Sequence, residues 1–361
     1  MYDDNFNATE KNRESGLKLS SDINLRASVP LERFLMEVQY DYGIDYPRDI
    51  NLGGINESHN LNVFANYSVN PRLTLSLSEN FINSLQPQLV VGSANTPVTI
   101  VQAGTYVYNN VGGNVNFALA PRWVLSVNGN WDIYRYQVSS IASNNDHEDY
   151  STTVSALYSL DPRTTVGLNY QYAQNIYSDP GLHNGRNASS DTGYLSVSRR
   201  FNPQLSASIS GGYTIRKSED GTVSTSPSAN GSFVYNYGPS STLSLTLAES
   251  LSEATLGGNR QFSAQENTSL ALHVNHRLTA RLRALADLTY VYSTFTAPLL
   301  PTLIVKPTEQ ALTSRLGFDY AFRDWLSANL SYYNTRLASS DPNLIQPYDR
   351  NQVFMGMTLS Y

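Results

Sequence analysis

The chain reads as all-β: a transmembrane, antiparallel, up-and-down β-barrel of about 17–18 strands, with short periplasmic turns and longer outer loops. Three observations predict this. Apolar and polar residues alternate with period 2 over segments that often run 10 to 14 residues. Proline-centred turns recur at every second connection between those segments. The composition is 15% charged and 40% apolar, yet 11% aromatic, with 25 Tyr against 12 Phe and 3 Trp. A soluble domain carries more of the first two, about 25% and 45–50%.

The turns set the frame. Asn70-Pro71-Arg72, Ala120-Pro121-Arg122, Asp161-Pro162-Arg163, Asn202-Pro203-Gln204 and Gly238-Pro239-Ser240 share one form, and looser versions surround Val29-Pro30, His276-Arg277 and Phe322-Arg323-Asp324. Proline presets φ for the second position of a tight turn, and a preceding Asn or Asp bonds its own backbone. Between these turns lie longer polar segments at 47–56, 87–101, 138–148, 178–190, 218–228, 255–263, 297–308 and 340–350, so short and long connections alternate.

The segments between connections alternate as strands with one apolar face do. Trp123, Leu125, Val127, Trp131 and Ile133 share one phase, and Ser126, Asn128, Asn130 and Asp132 the other. Leu73, Leu75 and Leu77 alternate with Thr74, Ser76 and Ser78; the last segment sets Val353, Met355, Met357, Leu359 and Tyr361 on one face. Seventeen strands follow: 15–28, 34–46, 57–69, 73–86, 102–119, 123–137, 149–160, 164–177, 191–201, 204–217, 228–237, 242–254, 264–276, 281–296, 309–322, 325–339 and 351–361. Soluble strands average about 5–6 residues, whereas a bilayer-crossing strand needs about 9–11. A sandwich gives no reason for short and long connections to alternate, and a solenoid gives none for proline turns at alternate connections.

The count is odd, while bacterial barrels carry even numbers. Strand 15–28 runs toward a short turn and so begins on the long-loop side, which leaves one rising strand missing. Tyr2-Asp3-Asp4-Asn5-Phe6 fits its outer end. The expectation is that the sequence lacks its signal and most of its first strand, with 1–14 a remnant of that strand and its outer loop, and 15–361 a single barrel domain.

Other classes are excluded by composition. A net charge of −6 with no basic run argues against nucleic-acid binding. Zero cysteine removes disulfide scaffolds, thiol catalysis and thiolate metal sites. Low charge and abundant aromatics argue against disorder. No run of about 18 apolar residues exists for a transmembrane helix.

The YDDN start, the alternating meander and the C-terminal strand ending in Tyr361 resemble bacterial outer-membrane β-barrels of the putative β-barrel porin type. The resemblance covers essentially the whole chain. It implies a location in the outer membrane, contact with lipid and lipopolysaccharide, and recognition of Tyr361 by the barrel-assembly machinery. It supplies no family active site, and an oligomer is compatible with it.

In such a barrel the apolar phase faces lipid and the other phase lines the lumen. That assigns Lys18, Asp22 and Arg26 inward, with Glu37, Asp41 and Asp45 on the next strand. Asp132, Arg281, Arg283, Asp287, Arg315 and Asp319 are inward as well. The early acids and the late arginines are expected to set a field across the lumen. Phe34, Phe117, Trp123, Phe201 and Phe322 fall beside short turns on the outer phase. Tyr42, Tyr46, Trp131, Tyr172, Tyr213 and Tyr292 lie toward long loops, as two interfacial rings require. Glu79 and Glu249 fall on the lipid phase of otherwise apolar faces, either as tolerated exceptions or as a subunit contact, Glu79 alternatively bonding Asn109.

No motif for catalysis, a metal or a cofactor emerges. His273 and His276 lie on opposite strand faces, and His147 falls in the loop run Asp146-His147-Glu148-Asp149. Gly112-Gly113 and Gly211-Gly212 read as strand bends or bulges, and Gly257-Gly258 lacks phosphate-loop spacing. Loop acids Asp179 and Asp191 lack a calcium-ligand pattern. The expected function is a pore for passive diffusion of small hydrophilic solutes, without enzyme activity. The alternatives are an export or secretion component, for instance for polysaccharide, a plugged structural or adhesive surface barrel, and an outer-membrane hydrolase.

Overall fold

The computed structural model describes residues 1–5, 13–47, 55–84, 105–178, 187–254, 262–298, 306–342 and 347–360. Phe6, Asp179, His183, Gly257, Gly258 and Tyr361 lie outside the described residues. Eighteen strands run in order: β1 (Tyr2–Asp3), β2 (Gly16–Pro30), β3 (Phe34–Pro47), β4 (Asn56–Asn70), β5 (Leu73–Ser84), β6 (Tyr106–Ala120), β7 (Trp123–Tyr136), β8 (His147–Asp161), β9 (Thr164–Tyr177), β10 (Ala188–Arg200), β11 (Leu205–Ser218), β12 (Val223–Gly238), β13 (Ser241–Glu253), β14 (Phe262–Arg277), β15 (Leu282–Pro298), β16 (Thr308–Arg323), β17 (Leu326–Ser339) and β18 (Tyr348–Leu359). A short helix of about two turns, α1 (Ser139–Asn145), occupies the outer connection between β7 and β8.

From β2 to β18 each strand pairs antiparallel with the next. β1 pairs with both ends of that meander, setting Tyr2 opposite Val353 and Leu17, so the sheet closes into an 18-stranded barrel. The long strands hold 12 to 17 residues. At about 3.3 Å per residue and a tilt of about 40° they span roughly 30–43 Å, which exceeds an apolar band of about 25 Å.

Register carries one side-chain phase around the wall. Asp41 lies opposite Asn60, Asn60 opposite Ile82, Ile82 opposite Tyr108, Tyr108 opposite Tyr134, and Tyr134 opposite His147. This phase holds the buried polar groups Asn169, Thr192, Thr214 and Ser293, and it faces inward. The other phase holds exposed Leu77, Leu168, Leu195, Ile209, Leu247 and Met355, the last 81% exposed. Large apolar side chains left uncovered in this number mark a lipid-facing surface. Both aromatic rings fall on that outward phase, with Trp123, Phe201 and Phe322 exposed near the short turns and Tyr46, Trp131 and Tyr213 exposed near the outer end. Trp123 packs on Tyr158 at 4.8 Å and Trp131 stacks on Tyr150 at 5.8 Å.

The short turns form as their residues dictate. Asn70 Oδ1 accepts the N–H groups of Arg72 and Leu73 at 2.8 and 3.0 Å. Asn202 Oδ1 does the same for Gln204 and Leu205, and Asp161 Oδ1 accepts from Arg163 N at 2.7 Å. Register shifts occur immediately before these turns, between Ser68 and Asn70, Ala118 and Ala120, and Ser159 and Asp161. The bulges thus sit at the barrel rim. They are absent from Gly112-Gly113 and Gly211-Gly212, where the ladders run without a shift. Those glycines make room instead. A Cβ on Gly212 would lie 2.1 Å from the Gly193 carbonyl oxygen, and one on Gly112 would lie 2.7 Å from Ser78 Oγ.

One expected long connection is short. Residues 218–228 read as a polar loop, but β11 ends at Ser218 and β12 begins at Val223, leaving four residues with Gly221 at φ +84°. Ser224, Ser226 and Ser228 share the inward phase and need no apolar partners, so polarity there marks the lumen and not a loop. Pro227 is accommodated because β12 pairs with β13 only from Ala229 downward, and proline needs a ladder position that requires no donor.

Glu79 stands on the outward phase between Val63 and Val111, six residues above Leu73. Glu249 stands likewise between Ala229 and Thr268. No hydrogen bond joins Glu79 to Asn109, whose Oδ1 has no partner. Glu79→Leu is therefore expected to leave the detergent-extracted mass unchanged and to hold or raise stability. Loss of mass in analytical ultracentrifugation would instead establish a subunit contact. The two glycine environments separate as well. Gly212→Ala is expected to cost about 1–3 kcal/mol in urea unfolding from lipid vesicles. Gly113→Ala, whose Cβ would meet nothing within 4 Å, is expected to change little.

Candidate functional site: the inner wall

β2 and β3 build an acidic sector. Lys18, Asp22 and Arg26 share the inward phase with Glu37, Asp41 and Asp45. Lys18 Nζ donates to Asp45 Oδ2 at 2.7 Å and Ser20 Oγ to Asp45 Oδ1 at 2.6 Å. Arg26 Nη2 donates to Gln39 Oε1 at 2.8 Å, and Asn24 and Gln39 amides donate to Asp41. Among the described residues Asp22, Glu37 and Asp41 have no ion-pair partner within 4.0 Å, which leaves net negative charge on this wall.

The late arginines do not form the separate basic pole that a field across the lumen requires. Arg283 Nε lies 3.4 Å from Asp319 Oδ2, and Arg315 Nη1 lies 3.8 Å from Asp287 Oδ2, while Asp287 Oδ1 meets His273 Nδ1. Directly opposed cross-strand charges neutralise one another locally. Arg281 stands in the turn before β15, its N–H bonded to Thr279 Oγ1 at 3.2 Å, and not on the strand wall.

From β4 to β9 the wall is amide and aromatic. Down the β6–β7 pair, Tyr106 faces Tyr136, Tyr108 faces Tyr134, Asn110 faces Asp132, Gly112 faces Asn130 and Asn114 faces Asn128. The rings of Tyr108 and Tyr134 lie 4.8 Å apart, Tyr134 stacks on His147 at 4.4 Å, and His147 stacks on Tyr177 at 5.2 Å. Asp132 Oδ1 accepts from Tyr108 Oη at 2.6 Å and Asn110 Nδ2 at 2.8 Å. Asn80 Nδ2 donates to Asn62 and Asn60, and Asn66 to Ser76 Oγ at 2.9 Å. These tyrosines sit on the polar phase of their strands. Only that phase distinguishes them in sequence from the interfacial tyrosines, and it was the available signal.

His147 is therefore the first residue of β8 and not part of a loop. Its Nδ1 meets Asn145 O at 2.5 Å and its Nε2 lies 3.8 Å from Asp149 Oδ2. His276 faces outward beside Tyr237, away from His273. Asp191 belongs to β10, where Tyr170 Oη donates to it at 2.5 Å. Among the described residues no cluster of three His, Asp or Glu side chains could hold a metal ion.

From β10 to β13 the wall carries hydroxyls: Ser190, Thr192, Ser196, Ser198, then Thr214, Ser210 and Ser208, then Ser224, Ser226, Ser228 and Ser232. Thr192 and Thr214 hydroxyls bond at 2.9 Å. Toward the periplasmic end, Thr165, Ser198, Arg200, Ser206, Ser208 and Ser232 line a recess of about 320 Å³. At the outer end of β15–β18, Val291, Phe295, Ala311, Leu337 and Tyr348 are buried with Ala254 and Phe262 in an apolar cluster. At the barrel seam Arg350 Nε and Nη2 grip the Asp3 carboxylate at 2.9 and 2.5 Å, and Gln352 Nε2 adds a third donor at 2.8 Å.

The architecture is similar to known outer-membrane barrels. The copper transporter OprC shares 10% identity at a TM-score of 0.52, with 96% of this chain and 64% of that chain covered. The chain thus spans less than two-thirds of the length of OprC. OccAB3 of Acinetobacter baumannii shares 12% identity at a TM-score of 0.50, with 99% of this chain and 96% of that chain covered. Among curated proteins, none matches the sequence. The protein is a bacterial outer-membrane β-barrel, and, because the family described as Putative beta-barrel porin 2 matches residues 1–361, the chain belongs to that family.

Proposed function

We propose that the barrel is a water-filled channel through which small hydrophilic solutes diffuse passively, without catalysis. The observation that carries this reading is the inner wall. Amides, hydroxyls and charged groups continue from the Tyr108 level near the outer rim to the Ser198–Ser232 recess at the periplasmic end. Such groups replace the hydration of a passing polar solute at little cost. Barrels of about 16–18 strands leave room for an aqueous channel, whereas those of about eight fill with their own side chains. A hydrolase reading gains no support from His147, whose ring is stacked between Tyr134 and Tyr177.

A second reading, export of polysaccharide, draws on one specific feature. The track from Tyr108 and Tyr134 down through Asn110, Asn130, Asn114 and Asn128 presents aromatic faces and then paired amides along the transport axis. Sugar rings offer an apolar face to the first and hydroxyls to the second. A long oligosaccharide that blocks the channel current from either side, with the block lost in Tyr108→Ala, would favour export. Free permeation by small sugars and no block favours diffusion.

Purified full-length protein is expected to open steady, ion-conducting pores in planar bilayers. Folded barrels that conduct nothing would overturn the channel reading. The acids of β2 and β3, Asp45 paired with Lys18 and Glu37 and Asp41 without an ion pair, lie in a confined low-dielectric passage, where fields are stronger than on an open surface. Replacing Glu37, Asp41 and Asp45 by Gln, Asn and Asn is expected to shift the reversal potential in a salt gradient toward anions. An unchanged potential would remove these residues from the selectivity determinants while leaving the channel in place.

A further inference from the structure

Arg216 is the one inward charge in the hydroxyl sector above Arg200, on β11 two residues below the outer turn. It is 3% exposed. Its Nη1 donates to Asn175 Oδ1 at 2.8 Å and reaches Ser190 Oγ at 3.5 Å. Its Nε and Nη2 have no hydrogen-bond partner at all. The acid closest to it in the network is Asp149, one amide away, since Asn175 Nδ2 donates to Asp149 Oδ1 at 2.6 Å. Asn175 thus holds one corner of the guanidinium and passes on only part of the Asp149 charge.

The two unpaired donors are on the same edge of the guanidinium. Nε–H and Nη2–H point in parallel and form the fork that takes the two oxygens of a carboxylate. The protein uses this same edge elsewhere: Arg350 Nε and Nη2 hold the Asp3 carboxylate. Leaving charged donors buried and unsatisfied is destabilising, so their retention here calls for a ligand that completes them.

We propose that the Nε–Nη2 edge of Arg216 is a binding station for a carboxylate-bearing solute near the outer mouth of the lumen. The proposal rests on the channel reading for its role in passage, and on the unpaired guanidinium edge for the binding itself. A monoanion balances the single guanidinium. A phosphate, with about −1.5 to −2 charges at neutral pH, would place excess negative charge beside Asp149. One planar carboxylate also fills the two parallel donors.

Equilibrium binding of acetate to the full-length barrel in detergent micelles, followed by saturation-transfer NMR, tests this without reference to conductance. Wild-type protein is expected to bind acetate saturably, and inorganic phosphate, read by its displacement of acetate, at least tenfold more weakly. Arg216→Lys, which keeps the charge but removes the fork, is expected to weaken acetate binding at least tenfold. Asn175→Ala, which releases the Nη1 corner of the guanidinium, is expected to weaken it severalfold, and it supplies a result even where an Arg216 variant does not fold. No saturable acetate binding by the wild type, or equal binding by Arg216→Lys, overturns the proposal; phosphate binding as tight as acetate overturns the carboxylate assignment. Acetate binding by a barrel that conducts nothing would refute the channel and keep the site.

Discussion

Inside a bilayer no water is available to a backbone amide, so every N–H and C=O crossing the hydrocarbon needs a partner within the protein. Strands meet that requirement only when the sheet has no edge, which makes closure the constraint on which everything else depends. Here closure is non-local. Residues 2 and 3 pair with both β2 and β18, and side chains from the two ends of the chain reinforce the seam. Arg350 and Gln352 converge on Asp3, Asn351 bonds Asp4 through its N–H and its side chain, and Met1 N donates to Lys18 O. Asp3 is fully buried in that network.

Once the ring is closed, the two side-chain phases acquire opposite solvents. The outward phase is dissolved in lipid and selects Leu, Val, Ile and interfacial aromatics. The inward phase faces water and other inward side chains, and its members pair across the ladder. Charges that sequence position alone would treat as separate clusters meet directly, as Asp287 does with His273 and Arg315, and Asp319 with Arg283. Among the described residues Asp22, Glu37 and Asp41 keep no ion-pair partner, and the Nε–Nη2 edge of Arg216 keeps no hydrogen-bond partner. The lumen is therefore divided into acidic, aromatic–amide, hydroxyl and ion-paired sectors, and it does not carry one dipole across its width.

Much of the architecture was legible because its determinants are local. An Asn or Asp before Pro bonds the next N–H groups whatever the rest of the chain does, and Asn70, Asp161 and Asn202 each do so. Alternation identified the seventeen long strands, while Arg281, expected inward on β15, stands in the turn before it. The errors came where polarity was read as looseness. The segment 218–228 is mostly strand, because a lumen-facing run of serines needs no apolar phase. His147 was assigned to a loop because its neighbours are acids, yet Tyr134 and Tyr177 hold it at the head of β8. Paired glycines suggested bulges, and the register shows them relieving contacts with Ser78 and the Gly193 carbonyl.

The sequence by itself determined the strand phase and the positions of the proline turns, since period 2 and Asx chemistry act over two to four neighbouring residues. Only the tertiary structure decided which inward residues meet. Strand register brings Asn175 to Arg216 across 41 positions of chain and Asp3 to Arg350 across 347. That is why one arginine has a full carboxylate on its Nε–Nη2 edge and the other has none. Side-chain phase is a property of each strand alone, whereas pairing is set by the closure of the whole ring.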